Sequence, residues 1–136
     1  MNEITVQAIV DNIGIVTDFV DDFLDAHDCP IKVKMQIDIV IDEIFSNISH
    51  YAYGEAVGDV LIKLEILDNP KSVKITFVDG GVPYNPLEKK DPDITLSAED
   101  RQIGGLGIYM VKKSMDEITY EYKNGQNILK IKKNLN

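Results

Sequence analysis

Along these 136 residues the hydrophobic period switches repeatedly between strand and helical spacing, and that constrains the fold more than any single side chain does. From Asn12 onward, Val16, Phe19, Val20, Phe23 and Leu24 recur at helical spacing with Asp18, Asp21, Asp22 and Asp25 between them. This spacing predicts an amphipathic helix capped by Asp11 or Asn12. Pro30 stands where a second helix can begin; Val33, Ile37, Val40, Ile41, Ile44, Phe45 and Ile48 carry it to about Ala52, and Gly54 ends it. The period then falls to two. Val60 to Ile66 and Val73 to Val78 alternate across the turn Asp68-Asn69-Pro70-Lys71, and Ile118 to Lys123 and Asn127 to Lys132 across Asn124-Gly125, a strong hairpin signal. A short β-branched stretch, Ile4 to Val10, reads as an edge strand. Gly104-Gly105-Leu106-Gly107 opens a last helix through about Ser114. With so few crossover units, the order predicts an α+β two-layer sandwich, a mostly antiparallel mixed sheet with helices on one face.

Between Asp79 and about Ile103 no period survives. Pro83, Pro86 and Pro92 lie there among mixed charges, and a loop this long inside a compact domain predicts a lid over a site. The chain length suits a single domain over 1–136 with that lid at about 82–104.

Charge narrows the function classes. Fourteen Lys and Arg face 23 Asp and Glu, a net charge of -9, so the overall field repels a nucleic-acid backbone, and any bound phosphate must be gripped locally. No apolar run approaches the roughly 18–20 residues that span a bilayer, and Met1-Asn2-Glu3-Ile4 lacks the pattern of a secretory signal. The single cysteine, Cys29, makes neither an internal disulfide nor a metal site. The expected setting is a reducing cytoplasm, with no membrane partner and no direct contact with nucleic acid.

Three polar interruptions carry candidate chemistry. On the second helix, Glu43, Asn47 and His50 project within about 60° of one another beside the apolar stripe. A carboxylate and an amide oxygen one turn apart suit a hard cation and a proton acceptor, although the same residues also fit a solvated polar flank. Asp79-Gly80-Gly81 follows a β-branched strand. There an aspartate can accept a hydrogen bond from an exocyclic amine and glycines let backbone pass a flat ring, or the three residues simply end the strand. Gly104-Gly105-Leu106-Gly107 feeds a helix N-terminus, which suits an anion, or serves as a hinge. It is neither a Walker A loop nor a dinucleotide fingerprint.

Together these residues resemble the Bergerat-fold, or GHKL, ATPases, and within them the anti-sigma-factor serine-protein kinase branch. Asp42-Glu43-Ile44-Phe45-Ser46-Asn47-Ile48-Ser49-His50-Tyr51-Ala52-Tyr53 resembles that branch's N box, with Tyr51 at the alanine position, so that the string is offset by one residue. Phe77-Val78-Asp79-Gly80-Gly81-Val82-Pro83-Tyr84-Asn85-Pro86 resembles the G1 box, and Arg101-Gln102-Ile103-Gly104-Gly105-Leu106-Gly107-Ile108 resembles the lid end and the G2 box. The resemblance runs from about Ile4 to Lys133.

It implies an ATP-binding protein-serine kinase that uses Mg²⁺, acts as an anti-sigma factor and phosphorylates a serine of a small antagonist protein. Asn47 would be the Mg²⁺ ligand and Glu43 the general base. His50, Asp79, Gly81, Arg101, Gly104, Gly105, Leu106 and Gly107 would hold the nucleotide, Asp79 reading the adenine amine. The implied partners are a sigma factor, its antagonist and a second copy in a homodimer. Val82-Pro83 replaces the second glycine-rich turn, as is usual in that branch, and the last strand, Asn127 to Lys133, lacks the threonine that many relatives use near adenine. The chain shows no histidine-bearing dimerisation helix and no transducer domain, which counts against a sensor kinase, a gyrase or a mismatch-repair ATPase. A nucleotide-gated binding module without kinase activity is the alternative.

Overall fold

Both apolar stripes become helices, α1 over Ile13–Ala26 and α2 over Ile31–Tyr51. The computed structural model describes residues 2–54, 56–88 and 105–136, of which 105 and 106 by backbone alone. α1 buries Val16, Val20, Phe23 and Leu24, and α2 buries Ile37, Val40, Ile41, Ile44 and Phe45. Asn12 stands at the N-cap of α1 as expected but makes no capping bond. A 3-10 turn over Val10–Asn12 precedes the helix, and the Val10 carbonyl already accepts the Ile13 N–H. The Asn12 amide instead donates to the Gln7 carbonyl at 2.9 Å, which ends the first strand sooner than its β-branched composition suggests. At the far end of α1, Asp28 takes the left-handed conformation (φ 57°) and Lys71 Nζ donates to the His27 carbonyl at 2.6 Å. A cation thus meets the negative end of the helix.

The strands are β1 (Asn2–Gln7), β2 (Asp59–Leu67), β3 (Ser72–Asp79), β4 (Glu117–Lys123) and β5 (Gln126–Asn134), with α3 (Gly105–Ser114) between β3 and β4 in the chain. They form one sheet in the order β1-β2-β3-β5-β4. Each neighbouring pair is antiparallel, so within the described residues the sheet is antiparallel throughout rather than mixed. Asn124 and Gly125 both have positive φ (55° and 77°), the backbone that a two-residue hairpin between right-twisted strands requires.

Register decides which side chains meet. Ile4, Ile62, Phe77, Leu129 and Tyr120 form one row across the sheet, and Val6, Val60, Asp79, Asn127 and Tyr122 form the next row on the same face. The first row joins the core with Phe45, Ile41 and Leu24 from the helices. Burying each such side chain contributes about 1.5–3 kcal/mol. On the opposite face Lys63, Lys74, Lys130 and Lys132 alternate with Glu65, Glu117 and Glu121. Only Lys74–Glu65 (3.4 Å) and Lys132–Glu117 (3.8 Å) approach as ion pairs there among the described residues. No helix of the described residues is long and apolar enough to cross a membrane.

Candidate functional site

A cleft partly open to solvent lies between α2 and the sheet face that carries Phe77, Asp79, Asn127 and Leu129. Its walls are mostly apolar: Ile44, Ile48, Ala52, Phe77, Pro86, Ile108 and Leu129. Three polar side chains, Asn47, Asp79 and Asn127, enter it together with Tyr84 and Tyr120. A small-molecule site has this composition, an apolar lining with a few placed polar groups.

One turn of α2 separates Glu43 from Asn47, and the structure joins them. Asn47 Nδ2 donates to Glu43 Oε1 at 2.9 Å and to the Glu43 carbonyl at 2.8 Å. Both amide protons are thereby used, which leaves Oδ1 of Asn47 as its unengaged atom among the described residues. The first turn of α3 closes over the pair, since a Cβ on Gly107 would lie 2.1 Å from Glu43 Cδ and 2.2 Å from either carboxylate oxygen. Only glycine lets the α3 backbone come so close to that carboxylate.

Asp79 sits at the end of β3, 5% exposed. Its Oδ1 accepts from the Gly81 N–H and from Asn127 Nδ2, each at 2.9 Å. Within the described residues no donor reaches Oδ2. Gly81 packs against the end of α2. A Cβ there would come within 2.1 Å of the Ala52 carbonyl oxygen, where the Val82 N–H also donates at 2.8 Å, so Gly81 presses the strand end against the C-terminus of α2.

The remaining expected residues divide. His50 is exposed on α2, with its ring 6.2 Å from that of Tyr51, and does not line the cleft. Gly105 and Leu106 begin α3 as backbone. Arg101 and Gly104, with the part of the expected lid from 89 to 104, lie outside the described residues.

Sequence reasoning passed over Asn127, Tyr120 and Tyr53. Asn127 is 5% exposed and makes four hydrogen bonds. Nδ2 donates to Asp79 Oδ1 and, at 2.8 Å, to the Val82 carbonyl; Oδ1 accepts from the Tyr84 N–H at 3.1 Å and from the Tyr120 hydroxyl. The Tyr53 hydroxyl accepts from the Gly80 N–H at 2.8 Å and donates to the Asp59 carbonyl at 2.5 Å, while its ring fills the space a Cβ on Gly58 would occupy. Burial raises the pKa of both phenols, so each keeps its proton and remains a donor. A signal for Asn127 was present in the alternation of β5, where Asn127, Leu129 and Ile131 share one face and the first of them is polar.

Residues 6–133 match the model of the histidine kinase-like ATPase domain. The serine-protein kinase RsbW of Bacillus thuringiensis (strain Al Hakam) is 33% identical over 98 residues, covering 69% of this chain and 60% of that protein. The serine/threonine-protein kinase BtrW of Bordetella bronchiseptica is 24% identical over 98 residues, covering 72% and 68%. The chain thus matches only 60% of the length of the RsbW relative. The blue-light activated histidine kinase of Erythrobacter litoralis EL346 superimposes with a TM-score of 0.58 at 18% identity, over 79% of this chain and 32% of that one. The SiaB-SiaC complex from Pseudomonas aeruginosa does so with a TM-score of 0.55 at 16% identity, over 96% and 88%. At these identities the structural likeness is one of fold.

Proposed function

The chain belongs to the histidine kinase-like ATPase domain family, and on that premise we propose that it is a regulatory protein-serine kinase that binds ATP with Mg²⁺. One observation carries the reading. Asn47 enters the cleft hydrogen-bonded to Glu43, whose carboxylate lies beside it under the first turn of α3, while the buried carboxylate of Asp79 enters elsewhere along the lining. The donor sets fit the two ends of the nucleotide. Asp79 Oδ2 would serve as the acceptor for an exocyclic amine, and Asn47 Oδ1 would be the oxygen left for a hard cation. No three His, Cys, Asp or Glu side chains converge as a metal site among the described residues, so a Mg²⁺ at Asn47 would draw its other ligands from phosphate and water.

When bound, Mg-ATP supplies the phosphoryl group. Glu43 would accept the hydroxyl proton of an incoming serine through Oε2, the oxygen that Asn47 does not engage. The names of two relatives, a serine-protein kinase and a serine/threonine-protein kinase, support a protein substrate. By the resemblance to the anti-sigma-factor branch that substrate would be a small antagonist, with a sigma factor as the alternative partner, in the cytoplasm and with the chain as a homodimer. The test has two stages. Mg-ATP should raise the melting temperature, by about 2.7 kcal/mol of added stability at one hundred times Kd. Labelled γ-phosphate should then pass to a serine of the antagonist. A nucleotide-dependent shift without transfer would leave a binding module, and no shift at all would overturn the reading.

A further inference from the structure

The Asn127 side chain is saturated in a way that gives Asp79 a direction. An amide group has two donor protons and one oxygen with two lone pairs. Here both protons go to acceptors, Asp79 Oδ1 and the Val82 carbonyl, and the oxygen receives two donors, the Tyr84 N–H and the Tyr120 hydroxyl. The opposite orientation would set the amide nitrogen against two donors and its oxygen against two acceptors, so the network admits one orientation only. Asp79 Oδ1, held by Asn127 and by the Gly81 N–H, has no further role to take. What remains toward the cleft is Oδ2, an atom that can only accept a hydrogen bond while the carboxyl stays ionised.

We infer that Asn127, braced by Tyr120, is a positioning residue that keeps Asp79 an acceptor toward the cleft and so selects a 6-amino over a 6-oxo purine. This rests on the nucleotide-binding reading above and deepens it. Asn127 lies directly opposite Asp79 in the β3–β5 register, so the strand pairing itself brings the amide to the carboxylate. The Val82 and Tyr84 bonds extend the same anchor to the chain leaving β3, which fixes the carboxylate from the sheet and from the loop at once.

The selection follows from proton inventory. A 6-amino group donates and suits Oδ2, whereas a 6-oxo group would set two acceptors against each other. Replacing Asn127 with aspartate keeps the volume and removes the donor. Two carboxyl groups so close cannot both ionise, and the proton they share lies between them at Asp79 Oδ1, which neutralises Asp79 and leaves Oδ2 a weaker acceptor for a 6-amino group.

The experiment measures the Kd of ATP and of ITP, with Mg²⁺, for the parent, Asn127→Asp and Tyr120→Phe, with circular dichroism to verify folding. ITP differs from ATP at the 6-position, where an acceptor replaces the donor, and at N1, which gains a proton. The parent should prefer ATP. Asn127→Asp should lower the ATP-to-ITP ratio at least about tenfold near pH 6, with part of the preference returning at pH 9 as the shared proton leaves. Tyr120→Phe should lower it by a smaller factor, since it removes one brace and keeps the amide. A purely structural Asn127 would weaken both nucleotides alike and leave the ratio within twofold, which overturns the inference. If Asn127→Asp does not fold, the ratio in Tyr120→Phe decides alone, an unchanged value counting against. A parent that binds ATP and ITP equally overturns this inference and leaves the nucleotide reading standing. A parent that binds neither overturns both.

Discussion

Two glycines near the cleft meet neighbours of opposite stiffness, and that difference separates fold from chemistry at the scale of a residue. A methyl group on Gly107 would collide with the Glu43 carboxylate, the mobile tip of a side chain, whereas one on Gly81 would collide with the Ala52 carbonyl, which is fixed backbone. Gly107→Ala should therefore fold normally, and even gain up to about 1 kcal/mol in helix propensity, while displacing Glu43 from Asn47 and reducing phosphoryl transfer. Gly81→Ala should instead lower the melting temperature, because the strand end must shift to make room. Calorimetry and a transfer assay on both variants check the pair of outcomes. On the same logic Glu43→Gln should keep nucleotide affinity and lose transfer by roughly 10²- to 10⁴-fold, the usual contribution of a general base. Asn47→Ala should lose most of the Mg²⁺-dependent part of ATP affinity while staying folded, as a titration with and without Mg²⁺ would show.

Between α1 and α2 the interface carries a second pair of carboxyl groups. Asp21 and Asp38 each bury an oxygen that has no hydrogen-bond partner, and they lie against one another, with Asp25, Lys34, Cys29 and Lys71 around them. Lys34 is committed to Asp25 at 3.0 Å. Burial first, and then the hydrogen bond and charge of Asp21, push the Asp38 carboxyl up to about 7. The folded protein therefore keeps a proton that the unfolded chain releases near the ordinary value of 3.8, so stability should fall as pH rises through the window up to about 7 and level off above it. In urea midpoints measured from pH 5 to 8, Asp38→Asn should flatten that slope and exceed the parent at pH 8. A parallel slope in the variant would assign the effect elsewhere. Periodicity made both helices legible, and the aspartates of α1 read correctly as an outer face except Asp21. Only the crossing of the helices, which no single stripe encodes, turns Asp21 inward toward Asp38. Asn127 escaped for a related reason. A strand pattern tells which face a side chain takes, and only the register tells which partner it meets there. Glu43 and Asn47 were legible because one helix holds both.

For the molecule as a whole, charge is sorted by layer. α1 carries four aspartates and no basic residue, while the uncovered sheet face mixes lysine with glutamate. A basic partner should thus approach the helical layer, with an on-rate that falls as salt rises and falls further in Asp22→Lys with Asp25→Lys, at unchanged ATP affinity. Stopped-flow association across a salt series tests this, and an on-rate indifferent to both changes would exclude the acidic helix as the docking face. Strand order has a different consequence, one of timing. β5 is made after the other four strands yet lies inside the sheet, between β3 and β4. As the chain leaves the ribosome, β3 and β4 wait as open edges with no neighbour to join them, and Asp79 waits for Asn127. The sheet cannot close without residues 126–134, and Asp79 gains its Asn127 partner only once they join it. A released chain that ends before that stretch leaves β3 and β4 without the strand between them, and such unpaired edges make the incomplete form, rather than the finished protein, the state prone to aggregate.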